Sequence, residues 1–129
     1  MLSTAPIIAY VPVLDMDRAR KFYQEKLGLT PKEEYAGGNG YVYECGQGSS
    51  FFMYKSGGAG TSKASQAFWA VEDLEAEMTA LRARGLKFEE YDMPGLKTVN
   101  GVASGGGAKT AWFKDSEGNI MALSQKIAR

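Results

Sequence analysis

Two stretches of this chain nearly repeat one another: GLTPKEEY at Gly28–Tyr35 and GLKFEEY at Gly85–Tyr91 share a Gly-Leu opening and a Glu-Glu-Tyr close. Repetition restricts a fold more than composition does, because each copy must find the same local structure. The likeness extends upstream, through IIAYVPVLDMDRARKFYQEKLGL in the first half and SQAFWAVEDLEAEMTALRARGL in the second. Each begins with an apolar run rich in β-branched or aromatic residues, the pattern of a strand. Each then reaches an aspartate, Asp15 or Asp73, suited to accept hydrogen bonds from the free amides of a helix start. Met16, Ala19, Phe22, Tyr23 and Leu27 then recur at three- and four-residue steps, as do Leu74, Met78 and Leu81, so each segment is expected to be a helix with one apolar face. Gly28 and Gly85 stand where a left-handed residue would stop those helices, with Lys26, Arg82 and Arg84 near their negative ends.

Past the first helix come three short strand-like runs, TPKEEY, GYVYECG and SFFMYK. Past the second come KFEEYDM, a long glycine-rich stretch, then KTAWFKD and NIMALSQ joined by DSEG, a tight-turn composition expected to make a hairpin. Each half therefore reads strand, helix, strand, strand, strand, and GLKFEEY opens the second strand of its half. KSGGAGTSKA, Lys55–Ala64, is the Gly/Ser-rich link between them. The expectation is one α+β domain over residues 1–129, with module one at 5–55, a linker at 56–64 and module two at 65–126.

Fifteen Lys and Arg balance fifteen Asp and Glu without a block of either sign, so the charge offers no footprint for nucleic acid or an anionic membrane. The expected partner is a small molecule or another protein. MLSTAPIIAYVPVLD lacks a basic start and breaks its apolar run at Pro12 and Asp15, which argues against a signal peptide or a membrane span. The single cysteine, Cys45, cannot close an internal disulfide, and both features suit the cytoplasm. The chain contains no histidine, which removes catalytic triads, Cys-His pairs and His-bearing zinc sites together. Without a histidine to activate it and with Glu44 beside it, Cys45 reads as a bystander. The acidic pairs Glu33-Glu34 and Glu89-Glu90 read as edge solvation, since only one of each pair can face a given side of a strand.

VPVLDMDRARKFYQEKLGL, WAVEDLEAEMTALRARGL, the hairpin WFKDSEGNIMAL and the double module together resemble the vicinal oxygen chelate superfamily of glyoxalases, extradiol dioxygenases, fosfomycin-resistance enzymes and bleomycin-resistance proteins. The resemblance implies two βαβββ modules forming a curled, barrel-like mixed sheet, helices on its outer face, a ligand on its concave face, and a homodimer. Metal-using members take one ligand from the first and one from the last strand of each module. Carried onto this chain, those positions hold Ile8, Phe52, Gln66 and Ala122. Three of these side chains have no lone pair to offer and the fourth is a neutral amide, so no metal and no other cofactor are expected; Glu44 or Tyr54 could rescue such a site only from neighbouring strands.

Strand residues two apart share a face, which adds Tyr10, Tyr54, Phe68, Ile120 and Ser124 to the same surface, with Trp112, or Phe113 in the opposite register. The expected ligand-binding set is Ile8, Tyr10, Phe52, Tyr54, Gln66, Phe68, Trp112 and Ala122. Aromatic residues on strands equally fill a core, but an open curled sheet has an inner face to line. Gly95–Lys109 is either a plain flexible connection or a lid over that face. The function expected is metal-independent binding of a flat, partly aromatic or apolar molecule, as in sequestering resistance proteins. The alternative is a lyase, isomerase or dioxygenase-like enzyme with relocated metal ligands.

Overall fold

The structure, a computed structural model, describes residues 1–127. Module one comprises β1 (Ala9–Val13), α1 (Met16–Leu27), β2 (Glu33–Tyr35), β3 (Gly40–Glu44) and β4 (Ser50–Lys55). Module two comprises β5 (Ser65–Ala70), α2 (Leu74–Ala83), a small hairpin of β6 (Asp92–Met93) and β7 (Leu96–Lys97), then β8 (Ala103–Gly105), β9 (Ala108–Lys114) and β10 (Ile120–Lys126). The chain makes two four-stranded mixed sheets of matching order, β1-β4-β3-β2 and β5-β10-β9-β8, and no closed barrel. In each, the first strand runs parallel to the last and the other pairs are antiparallel.

The helix signals work as the residue types require. The Asp15 carboxylate accepts from the Arg18 N–H at 3.0 Å and the Asp73 carboxylate from the Ala76 N–H at 3.1 Å. Gly28, at φ 71°, ends α1 in the left-handed region. The alternate residues Val11, Val13, Phe51 and Met53 with Tyr41 and Tyr43 form one buried layer with Ala19 and Tyr23 of α1, and that layer continues into Phe113 and Met121 of module two. Leu74 and Met78 of α2 bury against Ala111 and Leu123. The helices thus cover one face of each sheet and leave the other uncovered.

GLKFEEY departs from expectation, for Gly85–Tyr91 forms no strand. The place matching β2 is taken by β8, whose hairpin to β9 turns on Gly106 and Gly107, both at positive φ (63° and 85°) as a two-residue turn of this hand demands. β8 reaches only to Thr110, and further along the β9 edge the Glu89 N–H donates to the Trp112 carbonyl at 2.8 Å. Glu90 turns away to accept from the Thr98 hydroxyl and the Gly101 N–H. Gly95–Lys109 is therefore built rather than loose: it contains β7, a tight Val99–Val102 turn with reciprocal hydrogen bonds, and β8.

Among the described residues no backbone ladder joins the two sheets where β1 and β5 approach. Side-chain amides bridge the seam: Gln66 Nε2 donates to the Tyr10 carbonyl at 3.1 Å and Asn119 Nδ2 to the Pro12 carbonyl at 2.7 Å. The DSEG turn closes it. Glu117, fully buried at its side chain, accepts from the Leu14 and Asp15 N–H groups at 2.9 and 2.8 Å and from Arg18 Nε at 2.8 Å. Asp115 beside it accepts from the buried Tyr23 hydroxyl at 2.7 Å. The inter-module link docks on the same turn, where Gly60 donates to Asn119 Oδ1 at 3.2 Å and, at φ 73°, leaves no room for a Cβ against the Glu117 carbonyl. Burial alone would raise the Glu117 carboxyl, but the hydrogen bonds from Arg18, Asp15, Ser116 and Leu14 outweigh it and hold the group down at about 2.

Candidate functional site

The face of each sheet opposite its helix is aromatic. In module one, Tyr10 pairs with Phe52 and Phe52 with Val42, while Tyr54 lies between Pro12 and Gly40. The rings meet edge to face, Tyr10 with Phe52 at 5.6 Å, Tyr10 with Tyr54 at 4.9 Å and Tyr35 with Phe52 at 5.9 Å. Ile8, Tyr10, Tyr35, Val42 and Phe52 line a 350 Å³ hollow. Gly40 is needed here, since a Cβ on it would lie 2.5 Å from Phe52 Cζ; the bare backbone lets that ring lie down on the sheet. Tyr10 remains 60% exposed, an unusual position for a tyrosine at the middle of so apolar a surface.

In module two the matching row is Phe68, Ala122 and Trp112 across β5, β10 and β9. Phe113, on the opposite face, is wholly buried in the core, so the register selects Trp112 for this surface. Phe68 is 64% exposed and Ala122 is buried between its larger neighbours. Trp112 Nε1 donates to the Ser65 hydroxyl at 3.1 Å, and its ring meets Tyr91 edge to face at 5.7 Å. Ser124 and Thr110 share a hydrogen bond one step further along. Charge is confined to the rim, in satisfied groups: Lys32 with Glu44 at 2.7 Å, Lys114 with Glu89 at 3.9 Å, and Glu33 accepting from the Tyr35 hydroxyl at 2.6 Å. That last bond raises the Tyr35 phenol above its ordinary range.

Gln66 sits differently from its neighbours. Ser65 pairs with Ile120 but Ala67 already pairs with Met121, so Gln66 is the extra residue of a β-bulge. The bulge breaks the two-residue alternation that linked Gln66 to Phe68; Ser65 takes the position beside Trp112, and the Gln66 amide turns into the seam. Four lining residues escape a reading of the sequence. Tyr35 and Val42 depend on the β2–β3 register, Ser65 on the bulge, and Tyr91 on a segment that only tertiary contact places.

The four positions that would feed a metal ion do not fit one. Ile8, Phe52 and Ala122 have no donor atom, and Gln66 offers a single neutral amide oxygen. Glu44, a neighbour with a carboxylate, is held by Lys32. Among the described residues no three His, Cys, Asp or Glu side chains converge as metal ligands would. What the surface offers instead is wide apolar area, ring faces and edges, and the phenol groups of Tyr10 and Tyr54.

Comparison with known proteins agrees with this architecture. The family model described as Glyoxalase/Bleomycin resistance protein/Dioxygenase superfamily matches residues 5–123. No curated protein sequence matches the chain. Among solved structures, TnmS3, an antibiotic binding protein from Streptomyces sp. CB03234, is similar with a TM-score of 0.68 at 21% identity, covering 95% of this chain and 98% of its own. A glyoxalase/bleomycin resistance protein from Catenulispora acidiphila is similar with a TM-score of 0.65 at 20% identity, with 95% and 98% covered. The fosfomycin resistance protein FosX from Listeria monocytogenes, in a complex with Mn(II), reaches 0.64 at 11% identity, with 93% and 88% covered. Similarity at these identities concerns the fold, which a metal-holding and an antibiotic-binding protein evidently share.

Proposed function

The chain belongs to the glyoxalase/bleomycin resistance/dioxygenase superfamily, and from that premise we propose that it binds a flat, partly aromatic or apolar small molecule between its sheets without a metal. The observation that carries this reading is the pair of exposed rings, Tyr10 on one sheet and Phe68 on the other, on a surface whose metal positions hold Ile8, Phe52 and Ala122. An exposed aromatic surface of this kind favours stacking partners, and the Tyr10 and Tyr54 hydroxyls with the Gln66 amide oxygen supply direction. The antibiotic-binding role printed for TnmS3 supports sequestration as the use of such a cleft. Rim charges cancel in pairs and the chain is neutral overall, which favours an uncharged ligand over nucleic acid or a strongly cationic drug. An enzyme of the superfamily would need metal donors brought in from elsewhere, and Glu44 is already neutralised by Lys32.

The test is a titration of the purified protein with 2-naphthol and acridine, both uncharged at neutral pH, read by tryptophan fluorescence and melting temperature. Saturable binding unchanged by EDTA is expected, with no thermal shift on adding zinc, nickel, manganese or ferrous ion. One equivalent of tightly bound metal that stabilises the fold, or binding abolished by chelation, would overturn the proposal.

A homodimer is part of the same reading. Ile7 and Ile8 stand 95% and 47% exposed next to β1, apolar area that a second copy would cover. Light scattering is expected to give twice the 14.0 kDa chain mass; a monomer at micromolar concentration would exclude it.

A further inference from the structure

The outer side of module two carries a second hollow that the aromatic cleft does not use. It lies between α2 and the β7–β8 segment, measures 560 Å³, and is lined by residues from both. Its construction follows from local sequence. Asn100 and Gly101 turn at φ 53° and 81°, and Val99 and Val102 close that turn with two hydrogen bonds of 2.8 and 3.1 Å. Gly101 then sits against α2 so closely that a Cβ would meet Met78 Cε at 3.1 Å and Arg82 Nη2 at 3.2 Å. The turn is thereby clamped one side chain's width from the helix, and the space beside it stays open.

The chemistry of the walls is lopsided. Met78, Val99 and Val102 provide apolar area, with Val99 65% exposed. Three cations, Arg82, Lys97 and Lys109, face it against one carboxylate, Glu75. Glu75 is taken by Lys109 at 3.1 Å, and among the described residues neither Arg82 nor Lys97 forms an ion pair. Glu90 lies close enough for Arg82 to help lower its pKa, yet its carboxylate is directed to Thr98 and Gly101. Arg82 is held in place by the Asn100 carbonyl at 3.0 Å and by the Phe88 ring 5.2 Å beneath it, so its guanidinium is positioned rather than free to wander. Lys97 stands across the β6–β7 hairpin from Asp92 and Arg82 near Glu90, but neither cation is drawn into an ion pair among the described residues, and both remain at the rim of an apolar trough.

We propose that this hollow is a binding site for a small organic anion, a carboxylate or phosphate monoester bearing an apolar group, separate from the aromatic cleft. The anion meets Lys97 and Arg82, and the apolar group lies on Met78, Val99 and Val102. Arg82 contributes a planar donor fork suited to two oxygens of one acid, and Lys97 a second point charge.

The experiment is a titration of ¹⁵N-labelled protein with phenyl phosphate, sodium benzoate, inorganic phosphate and benzyl alcohol, following amide shifts. Phenyl phosphate or benzoate is expected to bind with a Kd below about 1 mM, moving the amides of Lys97–Ser104 and leaving Tyr10 and Phe52 still. Inorganic phosphate and benzyl alcohol, each lacking half of the recognised chemistry, are expected to bind at least tenfold more weakly. Lys97→Glu and Arg82→Gln are each expected to weaken phenyl phosphate or benzoate binding tenfold or more while 2-naphthol binding in the cleft is unchanged, and Tyr10→Ala the reverse. Lys97→Glu alters an exposed residue and serves as the variant least able to disturb the fold. No saturable binding of either aromatic acid, or binding indifferent to both substitutions, would overturn the proposal.

Discussion

Replacing Glu117 by Ala is expected to destabilise the protein by about 2–4 kcal/mol, the scale for leaving two main-chain donors unpaired. The reason is geometric. Its carboxylate satisfies two main-chain donors, Leu14 and Asp15, at the mouth of α1, and truncation leaves both without that acceptor. In a domain of this size that loss should lower the melting temperature by roughly 10–20 °C. Arg18→Gln is the control: the guanidinium is about half exposed, so its pairing is screened and its removal should cost about 1 kcal/mol or less. Equal losses for the two variants would show that the ion pair, and not the capture of backbone donors, is what Glu117 contributes. The pH dependence has a definite sign. The folded carboxyl is depressed to about 2 from an ordinary 4.5, so its contribution is complete above pH 4.5 and disappears as the pH falls toward 2. The difference in stability between wild type and Glu117→Ala should shrink over that interval and stay constant above it.

Tyr10→Ala and Phe68→Ala are expected to weaken binding of a flat aromatic probe by about 10- to 100-fold each, the scale of 1.4–2.8 kcal/mol for an anchoring ring. Both side chains are more than half exposed in the free protein, so neither removal should shift stability by more than about 1 kcal/mol. This separation makes the pair informative: a core aromatic such as Phe113, with no exposure at all, would lose stability and binding together. Isothermal calorimetry on each variant, with denaturant unfolding alongside, provides the check. Undiminished affinity in both variants would mean that the ligand lies elsewhere.

Much of the fold can be read locally, because its signals are local. Asp15 and Asp73 open helices, Gly28 closes one, and DSEG turns a hairpin, all through contacts within a few residues. Strand alternation likewise places Tyr10, Phe52 and Tyr54 on one face and Phe68, Ala122 and Trp112 on another, since a side-chain period of two survives wherever pairing is regular. What escapes is decided by competition at a distance. The spelling of GLKFEEY matches its twin, but β8 wins the edge of β9 through the Gly106-Gly107 turn, and the twin is displaced. One extra residue in β5 re-aims Gln66, and nothing in SQAFWA announces it. Glu117 looks like an ordinary turn residue in the sequence; its partners Leu14, Asp15 and Arg18 lie about one hundred positions away.

The missing ladder between β1 and β5 has a consequence for how such a protein can change over generations. Hydrogen-bonded strands fix their spacing at about 4.8 Å and tolerate no compromise, whereas here the two halves meet like book covers along a spine of side-chain contacts, those of Gln66, Asn119 and Glu117 among them, backed by the shared core. Shortening or lengthening one of those side chains would reset the opening between the covers while every residue facing the guest stays as it was. Fit can therefore be tuned from the binding edge of the book, and the pages need not be rewritten.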